Sequence, residues 1–323
     1  MARNLLGASV LLSSLVLVSA CGSNAADNAA PTTTQATTAG TESPAATQSA
    51  ENETSQYTRI VAVSTETANM ALSLVDPENF AAVAESAKAP GMGEFPELAR
   101  RVEGTVPQST NPDPEQILAM QPDLVLLTSR HGGEKTLADQ LEAAGVETLN
   151  FSSSDFETPE AFAASLRTLA DTLGVSAKGE RLASDFEAKI AELDAKRNPA
   201  ANPSMVALMS RGPAVMAMDA ENTLPGLALR AGATDAAGAA GITSTGPIDA
   251  ELLALANPDI IFVEDFMGRG LEPFAALLEN PAVAEVPAVA NSRIVLMPMN
   301  EASAIAGENM AVGYEKILNE VNK

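Results

Sequence analysis

Pro122-Asp123-Leu124-Val125-Leu126-Leu127-Thr128-Ser129-Arg130-His131-Gly132-Gly133 decides how this chain is read. Its four consecutive aliphatic residues, bounded by turn formers, fit a strand buried on both faces, as parallel sheets use. Glu134 to Ala144 then has helical character, so the unit is strand, loop, helix. Open α/β sheets place ligands just beyond the carboxyl ends of such strands. His131, the only histidine in 323 residues, stands there. The pattern returns later at one fixed spacing. Pro258-Asp259-Ile260-Ile261 matches Pro122-Asp123-Leu124-Val125, Glu251 matches Glu115, and Gly268 matches Gly132. On that spacing His131 falls opposite Met267. Two similar lobes would thus put a histidine and a methionine on equivalent loops across a cleft.

The same grammar extends outward. Arg59-Ile60-Val61-Ala62-Val63 is a short β-branched strand ended by Ser64-Thr65, and Glu66 to Leu74 follows at helical spacing. Phe80 to Ala84 reads as a strand, Pro90-Gly91-Met92-Gly93 as a loop, and Val146 to Phe151 as another strand. Asp113 to Met120 is a short helix with Pro114 in its first turn. Two helices follow with no strand between them, Thr158 to Leu173 and Ser176 to Lys196. In the second, Leu182, Phe186, Ile190 and Leu193 recur every three to four residues, and the helix would reach roughly 30 Å, about a domain's width. A second α/β run has strands Met205–Met209, Ala214–Met218, Ile260–Val263 and Ile294–Met297. Its helices are Gly226–Gly232, Ala250–Ala256 and a closing Gly307–Val321. The alternation predicts an α/β fold with mostly parallel sheets flanked by helices, in the order lobe (57–155), helical segment (156–197), lobe (198–323).

The start of the chain belongs to no fold. Met1 to Ala20 has the basic residue and short apolar stretch of a signal peptide, and Leu17-Val18-Ser19-Ala20-Cys21-Gly22 resembles a bacterial lipobox, with Cys21 as the lipidated residue. An ordinary secretory cleavage site is the plainer alternative. Cys21 is the only cysteine, so the mature chain would carry no free thiol, in keeping with export. Residues 21–56 are poor in large aliphatic side chains and are expected to form a disordered tether, its ends on the order of 30 Å apart. The body beyond it carries a net charge near −20, with 38 acidic and 18 basic residues. That excess argues against nucleic acid and against adhesion to anionic lipid, leaving the Cys21 anchor as the expected membrane contact.

Several segments together resemble the substrate-binding lipoproteins of ABC importers for haem, cobalamin and ferric siderophores. They are the Arg59-Ile60-Val61 strand, Pro114 to Val125, Gln140 to Val146, Ala231 to Ala237 and Glu251 to Ile261. The resemblance covers nearly all of 57–323 and implies two lobes bridged by one long helix, here Ser176–Lys196, with cargo in the cleft and modest closure. It also implies an extracytoplasmic, monomeric carrier without a catalytic cofactor, whose partners are an ABC permease and its ATPase. Gly270-Leu271-Glu272, Asn280 to Ala284 and Pro287 to Val295 are most similar to the haem binders, which implies haem as cargo. Such proteins usually hold iron with histidine or tyrosine. The two tyrosines here, Tyr57 and Tyr314, stand at the tether and in the last helix.

The candidate site follows. His131 and Met267 are the axial iron ligands, imidazole being the stronger and thioether the weaker. Hydrogen bonding within a loop is the plain alternative for His131, and Met209, Met216 and Met218 rival Met267 among twelve methionines. Arg130, Arg211 and Arg269 match the haem carboxylates, against the alternative of solvated surface arginines. Phe95 and Phe266 are placed to stack on the macrocycle. Glu134 and Asp235 are the lobe-tip acids expected to dock on the permease. A ferric siderophore held by the arginines, with no protein bond to iron, is the alternative cargo. An exported enzyme is disfavoured, because the chain has no Gly-x-Ser-x-Gly elbow and no second histidine or cysteine for a nucleophile–base pair.

Overall fold

Apolar runs become strands up to the point where a hydroxyl, acid or proline stops them. The computed structural model, which describes residues 53–107, 111–130 and 132–323, sorts them into two sheets. The first contains β1 (Ile60–Ala62), β2 (Phe80–Ala84), β3 (Gly104–Val106), β4 (Leu124–Thr128) and β5 (Thr148–Phe151). All are parallel, in the order β3-β2-β1-β4-β5. The direction of winding reverses between β1 and β4, and the crevice beyond that switch point is where such sheets bind ligands. The second contains β6 (Ser204–Arg211), β7 (Ala214–Ala217), β8 (Thr234–Asp235), β9 (Gly246–Pro247), β10 (Ile260–Asp265) and β11 (Ile294–Pro298). Its order is β11-β10-β6-β7-β9, with β8 also paired to β6. The expected Ala214–Met218 strand is present but antiparallel to β6, because only Gly212 and Pro213 separate β6 from β7 and so short a link makes a hairpin.

The flanking helices are α1 (Thr65–Leu74), α2 (Pro96–Arg101), α3 (Pro114–Ala119), α4 (Gly132–Ala143), α5 (Pro159–Leu173), α6 (Ser176–Asp194), α7 (Thr223–Ala231), α8 (Ala250–Ala256) and α9 (Met310–Val321). Four of these elements, α2, β3, β8 and β9, went unread in the sequence, being too short to show a period. The long helix expected over Ser176–Lys196 is α6, ending two residues early. Asp194 at its end accepts hydrogen bonds from Arg230 of α7 and from the Tyr314 hydroxyl of α9. Its inward face is Gly179, Ala183, Phe186, Ile190 and Leu193, one residue per turn. The Phe186 ring meets Phe162 of α5 edge-on at 5.1 Å. Gly179 allows that approach: a Cβ there would lie 2.1 Å from the Ala170 Cβ. One apolar core runs from Ile60 and Leu126 of the first sheet, through Phe186 and Leu193 of α6, to Met205 and Phe262 of the second. The helix is thus built into the core of both lobes.

The roots of β4 and β10 repeat one arrangement at equivalent positions. Asp113 caps α3 through the Glu115 N–H, and Asp249 caps α8 through the Leu252 N–H, both at 2.9 Å. Gln121 and Asn257, just before the Pro-Asp pairs, both take left-handed backbone, φ 50° and 48°. Asp123 accepts from the Thr58 and Arg59 N–H groups that lead into β1. Asp259 accepts from the N–H and hydroxyl of Ser204, which opens β6. The repeat seen in the sequence is therefore a repeated structural joint.

The leader, Cys21 and most of the expected tether lie outside the described residues. The end of that tether corrects the reading of 21–56 as wholly disordered. The Gln56 N–H donates to the Leu173 carbonyl at 3.0 Å, and the Glu53 carboxylate accepts from the Ala177 and Lys178 N–H groups at the start of α6. A carboxylate there satisfies otherwise unpaired helix-end donors, which a compositional reading does not detect.

Candidate functional site

At the carboxyl ends of β1 and β4 the chain turns from apolar to polar while still buried. The hydroxyls of Ser64 and Thr128 hydrogen-bond across the two strands at 2.8 Å. Glu66, in the first turn of α1, is 3 % exposed and pairs with Arg130, which follows β4. The second lobe builds the same device from other positions. Glu264, near the end of β10, is 2 % exposed and accepts from Arg211, the last residue of β6, at 2.8 Å. Arg211 also donates to the Ser210 carbonyl and lies 5.2 Å from the centre of the Phe266 ring. Each lobe therefore presents an arginine held from behind by a buried glutamate. A buried carboxylate needs such a partner, and the fixed guanidinium keeps unused N–H groups for a ligand.

These two pairs wall one cavity of about 140 Å³ between the lobes. Ser153, Glu157, Met209, Met218, Thr223 and Met299 complete much of its lining. Ser153, Glu157 and Asn222 also line a larger neighbouring space of about 820 Å³, which runs past Thr158, Asp219 and Arg230. Burial pulls the Arg130 guanidinium below its usual range, against the opposing effect of Glu134 and Glu157. It remains a cation at any ordinary pH. Burial pushes the Glu157 carboxyl up, Glu264 adds to that shift, and hydrogen bonds from Thr223 together with the charge of Arg130 oppose it. A second seam between the lobes is apolar: Met92 packs with Met299 and Ile305, and Phe266 lies against them. Beside it, Asn69 accepts from the Glu94 N–H and donates to the Ile305 carbonyl, and Glu94 accepts from the Asn309 N–H. A Cβ on Gly307, which has φ +58°, would run into the Glu94 carboxylate.

Of the residues singled out in the sequence, Arg130, Arg211 and Phe266 come together here. His131 lies outside the described residues, between Arg130 and the start of α4. Met267 has left-handed backbone, φ 57°, is 56 % exposed and is not on the wall of the small cavity, whereas its rivals Met209 and Met218 are. Arg269 pairs with Glu272, three residues on, at the surface. Phe95 packs partly buried against the main core. Glu134 accepts from the Arg130 N–H at 2.7 Å, on the exposed side of the loop after β4. Asp235 pairs at Met205, near the start of β6 and away from the Arg211 end, and its side chain caps Gly238. Both tyrosines are buried elsewhere, Tyr57 bonded to Glu147 and Tyr314 to Asp194. The sequence reading missed Glu66, Glu157, Glu264 and Met299. Glu264 carried a signal, an acid directly after the buried run Ile260–Val263. Among the described residues no group of three histidine, cysteine, aspartate or glutamate side chains could hold a metal ion.

The walls offer charge pairs, small hydroxyls and thioethers, and the fold that carries them is shared with solved structures. The chain resembles in fold the periplasmic heme-binding protein RhuT from Roseiflexus sp. RS-1, at 25% identity over 82% of this chain and 98% of that one, with a TM-score of 0.68. It also resembles the periplasmic heme-binding protein HutB of Vibrio cholerae, at 21% identity over 81% and 97%, TM-score 0.67. The periplasmic vitamin B12-binding protein BtuF of Vibrio cholerae aligns at 15% identity over 82% and 96%, TM-score 0.65. No curated protein matches the chain. The sequence profile of the periplasmic binding proteins matches residues 60–301, from the first strand to the helical turn after β11, and the chain belongs to that family.

Proposed function

We propose that this protein captures haem in the cleft between its lobes and delivers it to an ABC permease. The family is one of substrate-binding transport proteins that work outside the cytoplasm with a permease and its ATPase, so the chain is a carrier. One observation carries the choice of cargo: an arginine from each lobe, Arg130 and Arg211, faces a single cavity at the strand ends. Haem bears two carboxylates, and guanidinium groups match them. The chain resembles in fold proteins described as heme-binding, which supports the same choice. In this reading His131 binds the iron and Met267 faces it, with Met209 and Met218 as alternatives on the cavity wall. Phe266, already beside Arg211, stacks on the ring. Arg269 and Phe95, engaged elsewhere, fall to secondary roles. Lipidation at Cys21 holds the carrier at the membrane as a monomer, and Glu134, with Asp235 as the weaker candidate, meets the permease.

The test is an absorption titration of the body, residues 53–323, with hemin. An intense Soret change at one equivalent is expected, weakened or shifted in His131→Ala and less affected in Met267→Ala. The second reading, a ferric siderophore held by the arginines, is favoured by the placement of both tyrosines away from the cleft. Silence with hemin together with calorimetric binding of a ferric siderophore would decide for it.

A further inference from the structure

The cavity floor carries an uneven count of charges. Arg130 is matched by Glu66 and Arg211 by Glu264, so these four side chains sum to zero. Glu157 is a third carboxylate on the same wall and also lines the larger space, so a cargo filling that space abuts it. The Oε2 atom of Glu157 accepts from the Thr223 N–H at 2.8 Å and from the Thr223 hydroxyl. These bonds fasten the side chain, which leaves from the start of α5, to the first turn of α7 in the other lobe. Its Oε1 atom makes no hydrogen bond among the described residues, and the residue lines the cavity. The charged groups around it are Arg130 and Glu66 from the first lobe and Arg211 and Glu264 from the second on the small cavity, and Glu160, Asp219, Glu221 and Arg230 on the larger space.

We propose that Glu157 is a specificity-determining residue of the cleft: when ionised it opposes acidic groups on a cargo, and its ionised fraction takes up a proton from solvent as an anionic cargo enters. The inference rests on the reading that the cargo is haem in this cleft. No bond of the cargo changes. The proton adds to Oε1, which turns from an acceptor into a donor toward a cargo carboxylate, while Oε2 keeps its two bonds from Thr223. Burial already favours the neutral form. A neutral or esterified cargo brings no charge and needs no proton. The sign of the pH effect follows. Affinity for an anionic cargo is greatest where Glu157 is protonated before binding. It falls as pH rises through the raised pKa of the empty cleft, and levels off above the still higher pKa of the loaded one.

The experiment compares wild type with Glu157→Gln, which preserves the bonds from Thr223 through its amide oxygen. Hemin and hemin dimethyl ester are titrated between about pH 6 and about pH 8.5, and protons are counted by calorimetry in two buffers of different ionisation heat. Wild type is expected to lose hemin affinity several-fold as pH rises through the titration of this group, and to take up a fraction of one proton where that loss occurs. The variant should lack that component, bind hemin several-fold more tightly at the upper pH, and match wild type toward the ester. The same pH slope in the variant, or a slope for the ester equal to that for hemin, overturns the proposal. Failure of the haem reading looks different: neither protein then gives a Soret change, and both proposals fall together.

Discussion

The two lobes share their roots and differ at their tips. At the root, Asp123 and Asp259 tie equivalent strands with equivalent hydrogen bonds, and Gln121 and Asn257 adopt the same unusual backbone. At the tip, Thr128-Ser129-Arg130-His131 stands where the second lobe has Glu264-Asp265-Phe266-Met267. The root is constrained by the sheet, whose donors must be satisfied whatever the cargo is. The tip is free to change, and each lobe arrived at a buried glutamate behind an arginine by drawing on different elements: Glu66 from α1 in one, Arg211 from β6 in the other. The two pairs thus share their chemistry without sharing the positions that the repeat makes equivalent.

Removing the arginines tests that equivalence most severely. Arg130→Ala and Arg211→Ala each strand a buried carboxylate, and each is expected to cost about 3–5 kcal/mol in denaturant unfolding. Arg130→Ala should cost more, since Glu66 has no other hydrogen-bond partner among the described residues, whereas a second change, Glu264→Gln, should restore most of the loss in Arg211→Ala. Equal losses with no recovery would mean that the arginines act through packing. The seam between the lobes gives a pH-dependent counterpart. Burial, with Glu308 nearby, pushes the Glu94 carboxyl up to about 8. A raised acid stabilises the fold below its unfolded value and loses that contribution as pH rises through the folded one. Stability should therefore decline from about pH 5 to pH 8, and Glu94→Gln should flatten the decline and gain about 3 kcal/mol at its upper end, after allowance for partial solvent contact. A parallel decline in the variant would assign it to other groups.

The roots come next. Asp259→Ala is expected to cost about 2 kcal/mol and Asp123→Ala about 1, because the bonds of Asp123 are the more exposed, and hemin affinity should hold in both. Loss of binding in either would show that root and tip are coupled. The smallest effect belongs to Glu53→Ala, about 0.5–1 kcal/mol, read as a shift of a few degrees in Tm. No shift would show that the contact at the start of α6 is incidental.

What was legible in the sequence divides along the same line. Leu124–Leu127 and Ile260–Val263 announced their strands because a buried parallel strand is apolar on both faces, and Phe186, Ile190 and Leu193 announced α6 by their spacing. The repeat placed His131 and Met267 on equivalent loops, but spacing fixes the position of a Cα and not the direction of a side chain, and Met267 is largely exposed. Glu66 with Arg130, Arg211 with Glu264, and Glu157 with Thr223 join residues more than fifty positions apart. No local pattern encodes such partners; the topology of the sheets does. Met299 and Asn222 went unnoticed for the same reason.

The continuous core through α6 sets how this carrier spends energy. Swinging the lobes apart would expose Phe186, Leu193 and their neighbours to water, at about 25 cal/mol for each Å² uncovered. A caliper of this kind resists opening, because its hinge is also its core. Unloading then becomes a matter of mechanical work. Whatever separates the lobes must meet that cost by acting on both of them at once.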